Sequence, residues 1–303
     1  MTPRIRLRAL LPAFGMACLL VLSASLAEAA PGQSASKGNT LSAVRKTVEN
    51  SMLVTGSIDI APDGTVSRYV LDQPEKLPKA VGELVAKVVP ALRFEPVRVD
   101  GKPAKARAGM GLRVVARQQD GGDYSLRVAS ANFGDQAGAK GEDVTARDMQ
   151  PPRYPEAAYR SGISGTVYSV LKIDPSGAVA EVSVEQTNLT VIGNERVMAR
   201  ARELLEKATL ATARKWRFDV PTQGPNANQP YWKMRVPVDY RLTDGPGGDG
   251  KTPYGKWEAY VPGPKHRIPW LSDEENRKRP DAMVAGTPYP VGSGPKLLTP
   301  LQG

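Results

Sequence analysis

The stretch PPRYPEAAYRSGISGTVYSVLKIDPSGAVAEVSV, residues 151–184, decides the fold. Residues 165–174 are rich in Val, Ile, Tyr and Thr, the side chains that fit a pleated, half-buried surface, and predict a strand. Pro175-Ser176-Gly177 predicts a turn, with Pro setting φ and Gly free to take a positive one. Residues 178–187 predict the returning strand, with Val179, Val182 and Val184 apolar and Glu181, Ser183 and Glu185 polar. That alternation slips by one residue near Ala180, as a β-bulge would make it. Tyr154-Pro155 ahead of the hairpin opens a short helix. Downstream, Val197, Ala201, Leu204, Leu205 and Ala208 recur at helical spacing over residues 195–215. Met234, Val236, Val238 and Tyr240 then alternate with Lys233, Arg235, Pro237 and Asp239, which predicts a strand with one buried and one wet face. The order is helix, hairpin, helix, strand, an α+β class.

The succession Tyr154-Pro155, Gly165-x-Val167, Asp174-x-x-Gly177, Trp216-Arg217-Phe218 and Val236-Pro237-Val238 resembles the C-terminal domain of the TonB family. The resemblance covers residues 151–242, about a third of the chain. It implies an antiparallel three-stranded sheet packed with helices. It also implies that the last strand binds a short box peptide of outer-membrane TonB-dependent transporters by strand addition, passing on force from an inner-membrane proton-driven motor complex. Carried over position by position, the peptide-contacting residues are Pro151, Pro152, Arg153, Tyr154 and Pro155 before the hairpin, and Lys233, Met234, Arg235, Val236, Pro237 and Val238 on the last strand. The family's membrane histidine and its long Pro-Lys and Pro-Glu spacer have no counterpart here, and about 60 residues follow the last strand.

The residues themselves favour the same edge. Pro cannot donate to a ladder, so Pro237 marks residues 231–241 as an edge strand. Lys233, Arg235 and Arg241 give that edge a basic character suited to an acidic peptide, and an edge of this kind also pairs with itself to give a homodimer.

The upstream region predicts a shorter, degenerate copy of the same unit over residues 47–133. Thr55-Gly56-Ser57-Ile58-Asp59-Ile60-Ala61-Pro62-Asp63-Gly64-Thr65-Val66 parallels the Gly165 strand and its turn. Val81, Leu84, Val85 and Val88 fall on one helical face, Leu92-Arg93-Phe94 parallels Trp216-Arg217-Phe218, and residues 109–115 parallel the closing strand. Residues 123–133 add one more strand. Residues 134–143 form a linker, 144–243 the second domain, and 244–303, dense in Pro and Gly, a tail expected to be largely extended or disordered. Within it, Trp257, Tyr260 and Trp270 are expected to pack singly onto a domain, and residues 272–277 to form a capped helical turn or two.

The N-terminus reads as a targeting segment. Arg4, Arg6 and Arg8 precede 19 uncharged residues, 9–27, and Ala27-Glu28-Ala29 has the small residues that signal peptidase needs. Residues 1–30 are a cleaved signal peptide giving a periplasmic protein, or an inner-membrane anchor, since the run is just long enough to span. Residues 31–46 are a linker. Cys18 is the chain's single cysteine, so a cleaved chain has neither disulfide nor thiolate chemistry. The formal charge of +10 suits solubility or anionic envelope surfaces such as peptidoglycan, and the absence of any basic-aromatic module argues against nucleic acid.

No motif carries catalysis or calls for a cofactor. Residues 245–252, GPGGDGKT, match the phosphate-loop spacing, but Pro253 and Gly255 deny them the helix whose amides would hold phosphate. His266, the single histidine, lies in the Pro-rich tail without metal or triad partners. Asp174, beside Pro175 and Gly177, reads as a turn former. The chain is therefore expected not to be an enzyme, with a cell-envelope scaffold as the alternative to transport.

Overall fold

The computed structural model describes residues 48–119, 123–135, 141–242, 254–277 and 281–301. The targeting segment, the 31–46 linker and the 245–252 loop lie outside these residues. Among the described residues, no helix is long and apolar enough to cross a membrane.

The chain runs β1 (Glu49–Ile60), β2 (Val66–Leu71), α1 (Lys79–Val88), β3 (Arg98–Val99), β4 (Lys102–Pro103), β5 (Ala106–Gln118) and β6 (Tyr124–Asp135). It continues through β7 (Thr145–Asp148), α2 (Glu156–Arg160), β8 (Gly165–Ile173), β9 (Val179–Leu189), α3 (Glu195–Ala213), β10 (Arg217–Asp219) and β11 (Trp232–Tyr240). The tail adds β12 (Glu258–Tyr260), α4 (Asp273–Arg277) and β13 (Tyr289–Pro290). Two larger antiparallel sheets result: a five-stranded one in the order β12-β1-β5-β6, with β2 also on β1, and a four-stranded one in the order β13-β11-β8-β9.

The two sheets share local devices. In each hairpin the Asp at the turn caps the loop: Asp174 Oδ1 accepts from the Ser176 amide at 2.8 Å, and Asp63 Oδ1 from the Thr65 amide at 3.0 Å. Hydrogen bonds from the Ser176 hydroxyl and from the Ala178 and Ser176 amides hold the Asp174 carboxyl below the usual carboxylate range, against the opposing effect of burial. Gly177 has φ 80° and Gly64 φ 85°. A Cβ on either would collide with a carbonyl, that of Phe218 or Phe94, whose amide donates back to the same glycine's oxygen at 2.9 and 2.8 Å. Ile173 faces Val179 while Lys172 faces Glu181, so Ala180 is bulged out. Ile60 faces Val66 while Asp59 faces Arg68, so Ser67 is bulged out in the same place.

Each helix covers one sheet face. Val81 and Val85 of α1 are fully buried, with Leu84 and Val88 packed beside them. On α3, Ala201, Leu205, Thr209 and Ala213 repeat every fourth residue and are buried, while Asn194 caps the first turn by accepting from the Val197 amide. Val197, expected on that apolar face, is 53% exposed. Phe94 and Phe218 anchor the two cores at 1% exposure, each burial stabilising by roughly 1.5–3 kcal/mol.

Both sheets are wider than three strands, and the additional strand expected over residues 123–133 of the first unit is β6. β6 pairs with β5 along eleven residues, and tail strands extend both sheets. Among the described residues of the tail, Tyr260, Ile268, Leu271, Ala282 and Met283 are buried. α4 opens with a reciprocal capping box, in which the Ser272 amide donates to Glu275 Oε2 and the Glu275 amide to Ser272 Oγ.

A candidate strand-addition edge

β11 pairs with β8 along its whole length, from Trp232 opposite Ile173 to Tyr240 opposite Gly165. Its other side is where an added strand would lie. On that side the Pro237 carbonyl accepts from the Gly286 amide and the Lys233 carbonyl from the Val291 amide, both at 2.9 Å. Backbone N and O of one residue in an antiparallel strand point the same way. The hydrogen that Pro237 lacks would therefore have pointed outward, so the proline leaves the β8 ladder intact, as an edge proline must.

The expected open edge is occupied. Met234 pairs with Pro290 and Arg235 with Tyr289 of β13. The expected wet face is partly closed as well: Arg235 and Pro237 are buried and Lys233 half-buried, while Asp239 stays exposed. The reason is the tail, which lays Ile268 and Leu271 on Val170 and makes a second small core on the face opposite α3.

The three cations of this edge all face acids. Lys233 Nζ lies 2.5 Å from Glu275 Oε1. Arg235 donates from Nε to Glu185 Oε2 at 2.7 Å, from Nη2 to Oε1 at 3.2 Å, and from Nη2 to the Glu275 carbonyl at 2.7 Å. Arg241 holds Asp239 at 3.0 Å and Glu258. Glu185 is fully buried, and Lys265 approaches it at 3.4 Å. Burial pushes the Glu275 carboxyl up, but Lys233 and the Ser272 amide outweigh it and hold the group below the ordinary range.

Glu185 is the carboxylate that sequence alternation put on the solvent side. Tyr168 pairs with Gln186 and Ser169 with Val184, so Glu185 is itself a bulge residue. The bulge breaks the period of two and re-aims the side chain inward against Arg235. The available signal was weak: two bulges in one strand leave a smeared pattern.

The residues before the hairpin are held by the core. The Trp216 indole donates to the Gln150 carbonyl at 2.7 Å. Tyr154 donates to the Ile163 carbonyl and sets its ring edge-on to Tyr159 and Tyr240, at centroid distances of 5.9 and 5.6 Å. Burial pushes the Tyr240 phenol up to about 12, and its hydroxyl shares a 2.9 Å hydrogen bond with Thr209. Tyr154 thus reaches β11 at Tyr240, two residues beyond Val238. Pro151 and Arg153 are exposed, while Pro152 and Pro155 are half-buried.

The tail also lines the far edge of this sheet. Leu189 and Val261 exchange two backbone hydrogen bonds at 3.0 Å, and the His266 amide donates to the Glu185 carbonyl at 2.8 Å. Between them Gly263 runs so close to β9 that a Cβ would strike the Thr187 carbonyl. Among the described residues, no group of three or more His, Cys, Asp or Glu is placed to hold a metal ion.

The unit from α2 to β11 is thus a small antiparallel α+β domain, with one long helix on its sheet and a Tyr-Pro segment leading in. Residues 150–190 match the profile of the Gram-negative bacterial TonB protein C-terminal family. Two proteins named Protein TonB, from Xanthomonas campestris pv. campestris strains B100 and ATCC 33913, are 35% identical to this chain over 100 residues, which is 33% of this chain and 39% of each of theirs. The solution structure of the Pseudomonas aeruginosa TonB C-terminal domain is 19% identical, covers 36% of this chain and 95% of its own, and superposes with a TM-score of 0.24. Over this third of its length the chain is similar to the TonB C-terminal domain, and it spans 39% of the length of the Xanthomonas relatives. The matched 150–190 segment holds the Tyr-Pro lead-in, α2 and the β8–β9 hairpin; β11 lies beyond it.

Proposed function

We propose that this protein is a TonB-like, non-enzymatic cell-envelope component whose C-terminal-type domain takes up an extended peptide segment of outer-membrane transporters as an added strand on β11, in support of energy-coupled transport. The observation that carries the reading is the TonB C-terminal match over residues 150–190, joined to a neighbouring strand whose outer side is paired at just two residues. Strand addition draws its affinity from main-chain hydrogen bonds along such an edge. Pro151, Pro152, Arg153, Tyr154 and Pro155 are assigned to the peptide's approach, and Lys233, Met234, Arg235, Val236, Pro237 and Val238 to the ladder. The chain acts from the periplasm, behind a cleaved signal peptide or an inner-membrane anchor. An anchored form would engage a proton-driven motor complex. Residues 47–133 are a second copy of the unit, supported by the matched glycines, phenylalanines and bulges of the two sheets.

The test is titration of isotope-labelled protein with a synthetic transporter box peptide. Resonances of residues 233–238 are expected to shift; no shift at about 1 mM peptide, an affinity too weak to matter, overturns the reading. A second reading, an envelope scaffold without a transport role, is favoured by the tail lining both edges of the sheet. It expects the labelled protein to ignore the peptide and to sediment with peptidoglycan.

A further inference from the structure

We infer that residues 284–291 of the tail form a tethered occupant of the β11 edge, so that an incoming peptide binds by displacing this strap. The inference rests on the reading above that β11 is the peptide edge. The strap presents what a bound strand would present. It runs antiparallel to β11, fills the Lys233 and Pro237 carbonyls with the amides of Val291 and Gly286, and sets Tyr289 opposite Arg235. Beside it, α4 supplies the carboxylate that Lys233 meets and the carbonyl that Arg235 meets, both from Glu275. The ligand this geometry fits is therefore an extended segment whose backbone amides replace those of Val291 and Gly286 at the Lys233 and Pro237 carbonyls.

The strap is also built to let go without unfolding the protein. Upstream it is fixed on the five-stranded sheet. Asp281, 1% exposed, accepts from the Ser130 and Tyr260 hydroxyls, and the Arg113 guanidinium donates to its backbone carbonyl at 2.8 Å. Downstream it is fixed there again, where the Glu95 amide donates to the Lys296 carbonyl and the Leu298 amide to the Arg93 carbonyl. Between those anchors Val284 is 43% exposed, and the strap's ladder is two residues long. A short, thinly paired segment between firm anchors is what opens first in native-state fluctuations. Occupancy by the strap lowers apparent peptide affinity in proportion to the fraction of molecules with the edge free.

Two forms of the full chain test this. The first is the double variant Glu275→Gln/Val291→Pro, which keeps the capping box, removes the charge facing Lys233 and deletes the amide that bonds the Lys233 carbonyl. It is expected to bind the box peptide about tenfold tighter or more than wild type, with faster amide exchange confined to residues 284–291. The second is Lys233→Cys/Val291→Cys in a Cys18→Ser background, whose positions face each other in the register of β13. Because Lys233 is itself assigned to the peptide ladder, the reference is Lys233→Cys alone in the same background: the reduced double variant is expected to bind peptide at least as tightly as that single variant, and the oxidised form to lose binding. Equal affinity of wild type and the first variant, or of the oxidised and reduced forms of the second, overturns the strap while leaving peptide binding intact. Free exchange of the Gly286 and Val291 amides in wild type overturns it too. Absence of binding in every form, with exchange showing the strap released in the first variant, overturns the peptide-edge reading itself and the strap with it.

Discussion

The two sheets hold the same frame and close it differently. Aligning them on their matched bulges sets Ile60 with Ile173, and the strand partners of these residues, Ala106 and Trp232, set β5 with β11. On the five-stranded sheet, the outer side of β5 is covered by the next strand in the chain, β6, in a hairpin paired along eleven residues. On the four-stranded sheet, the outer side of β11 is covered by two residues that arrive some fifty positions later. A hairpin closes a short loop at little entropic cost, whereas the tail closes a long one for two ladder pairs. The first edge is therefore closed by a long local ladder and the second by a short one borrowed from a distant part of the chain. At the position of Arg235 the first sheet carries Gly109. The cation belongs to the sheet whose edge is lightly held.

The largest expected effect tests what that cation does. The Arg235–Glu185 pair is almost fully buried, at 5% and 0% side-chain exposure. Removing one partner strands a charge, so Arg235→Ala is expected to cost about 3–5 kcal/mol. Replacing both, as Glu185→Leu/Arg235→Met, is expected to recover most of the loss, because an apolar pair of similar volume carries no desolvation penalty. Urea denaturation followed by tryptophan fluorescence measures both. A double variant as unstable as the single one would mean that the pair specifies the bulged geometry of β9 rather than merely satisfying it.

A smaller effect tests whether the sheets share one local design. Gly177→Ala and Gly64→Ala each place a Cβ at positive φ against a phenylalanine carbonyl. Each is expected to cost about 1–3 kcal/mol, and the two costs are expected to agree within about 0.5 kcal/mol and to add when combined, since the sites share no partner. Thermal unfolding of the two single variants and the double checks this. Unequal or non-additive losses would break the equivalence of the two turns.

What sequence could reveal divides along the same line. The Pro175-Ser176-Gly177 turn, the slip at Ala180, the buried face of the long helix and the edge character of Pro237 are local properties, each written in a few adjacent residues. The Arg235–Glu185 pair was hidden because a second bulge, at Glu185 itself, reverses the inside-outside parity on which pattern reading depends. The tail was hidden more deeply. Gly286 and Val291 are ordered by the carbonyls of Pro237 and Lys233, 49 and 58 residues away, and Ile268 and Leu271 by Val170. A segment whose ladder is borrowed shows neither a period of two nor one of 3.6, and Pro and Gly density describes its flexibility as a free chain rather than its fate beside a sheet.

The smallest expected effect separates the two edges by pH. Glu275 lies under the strap with its carboxyl below the ordinary glutamate value of 4.5. A carboxylate depressed in the closed state stabilises that state fully above its free value and loses the contribution as pH falls through the lower closed-state value. Lys233 faces this carboxyl, and the neighbouring Arg235, Glu185 and Lys265 form a cluster that is itself held by the tail. Below about pH 4.5, protection of the Gly286 and Val291 amides, corrected for intrinsic exchange, is therefore expected to fall, while amides in the ladder between β5 and β6 keep theirs. In Glu275→Gln that acid-dependent loss is expected to vanish, because the residue no longer titrates. If the strap amides lose protection equally in both proteins, the acid response does not arise at Glu275, and the contact between Glu275 and Lys233 is not what holds the strap on its edge.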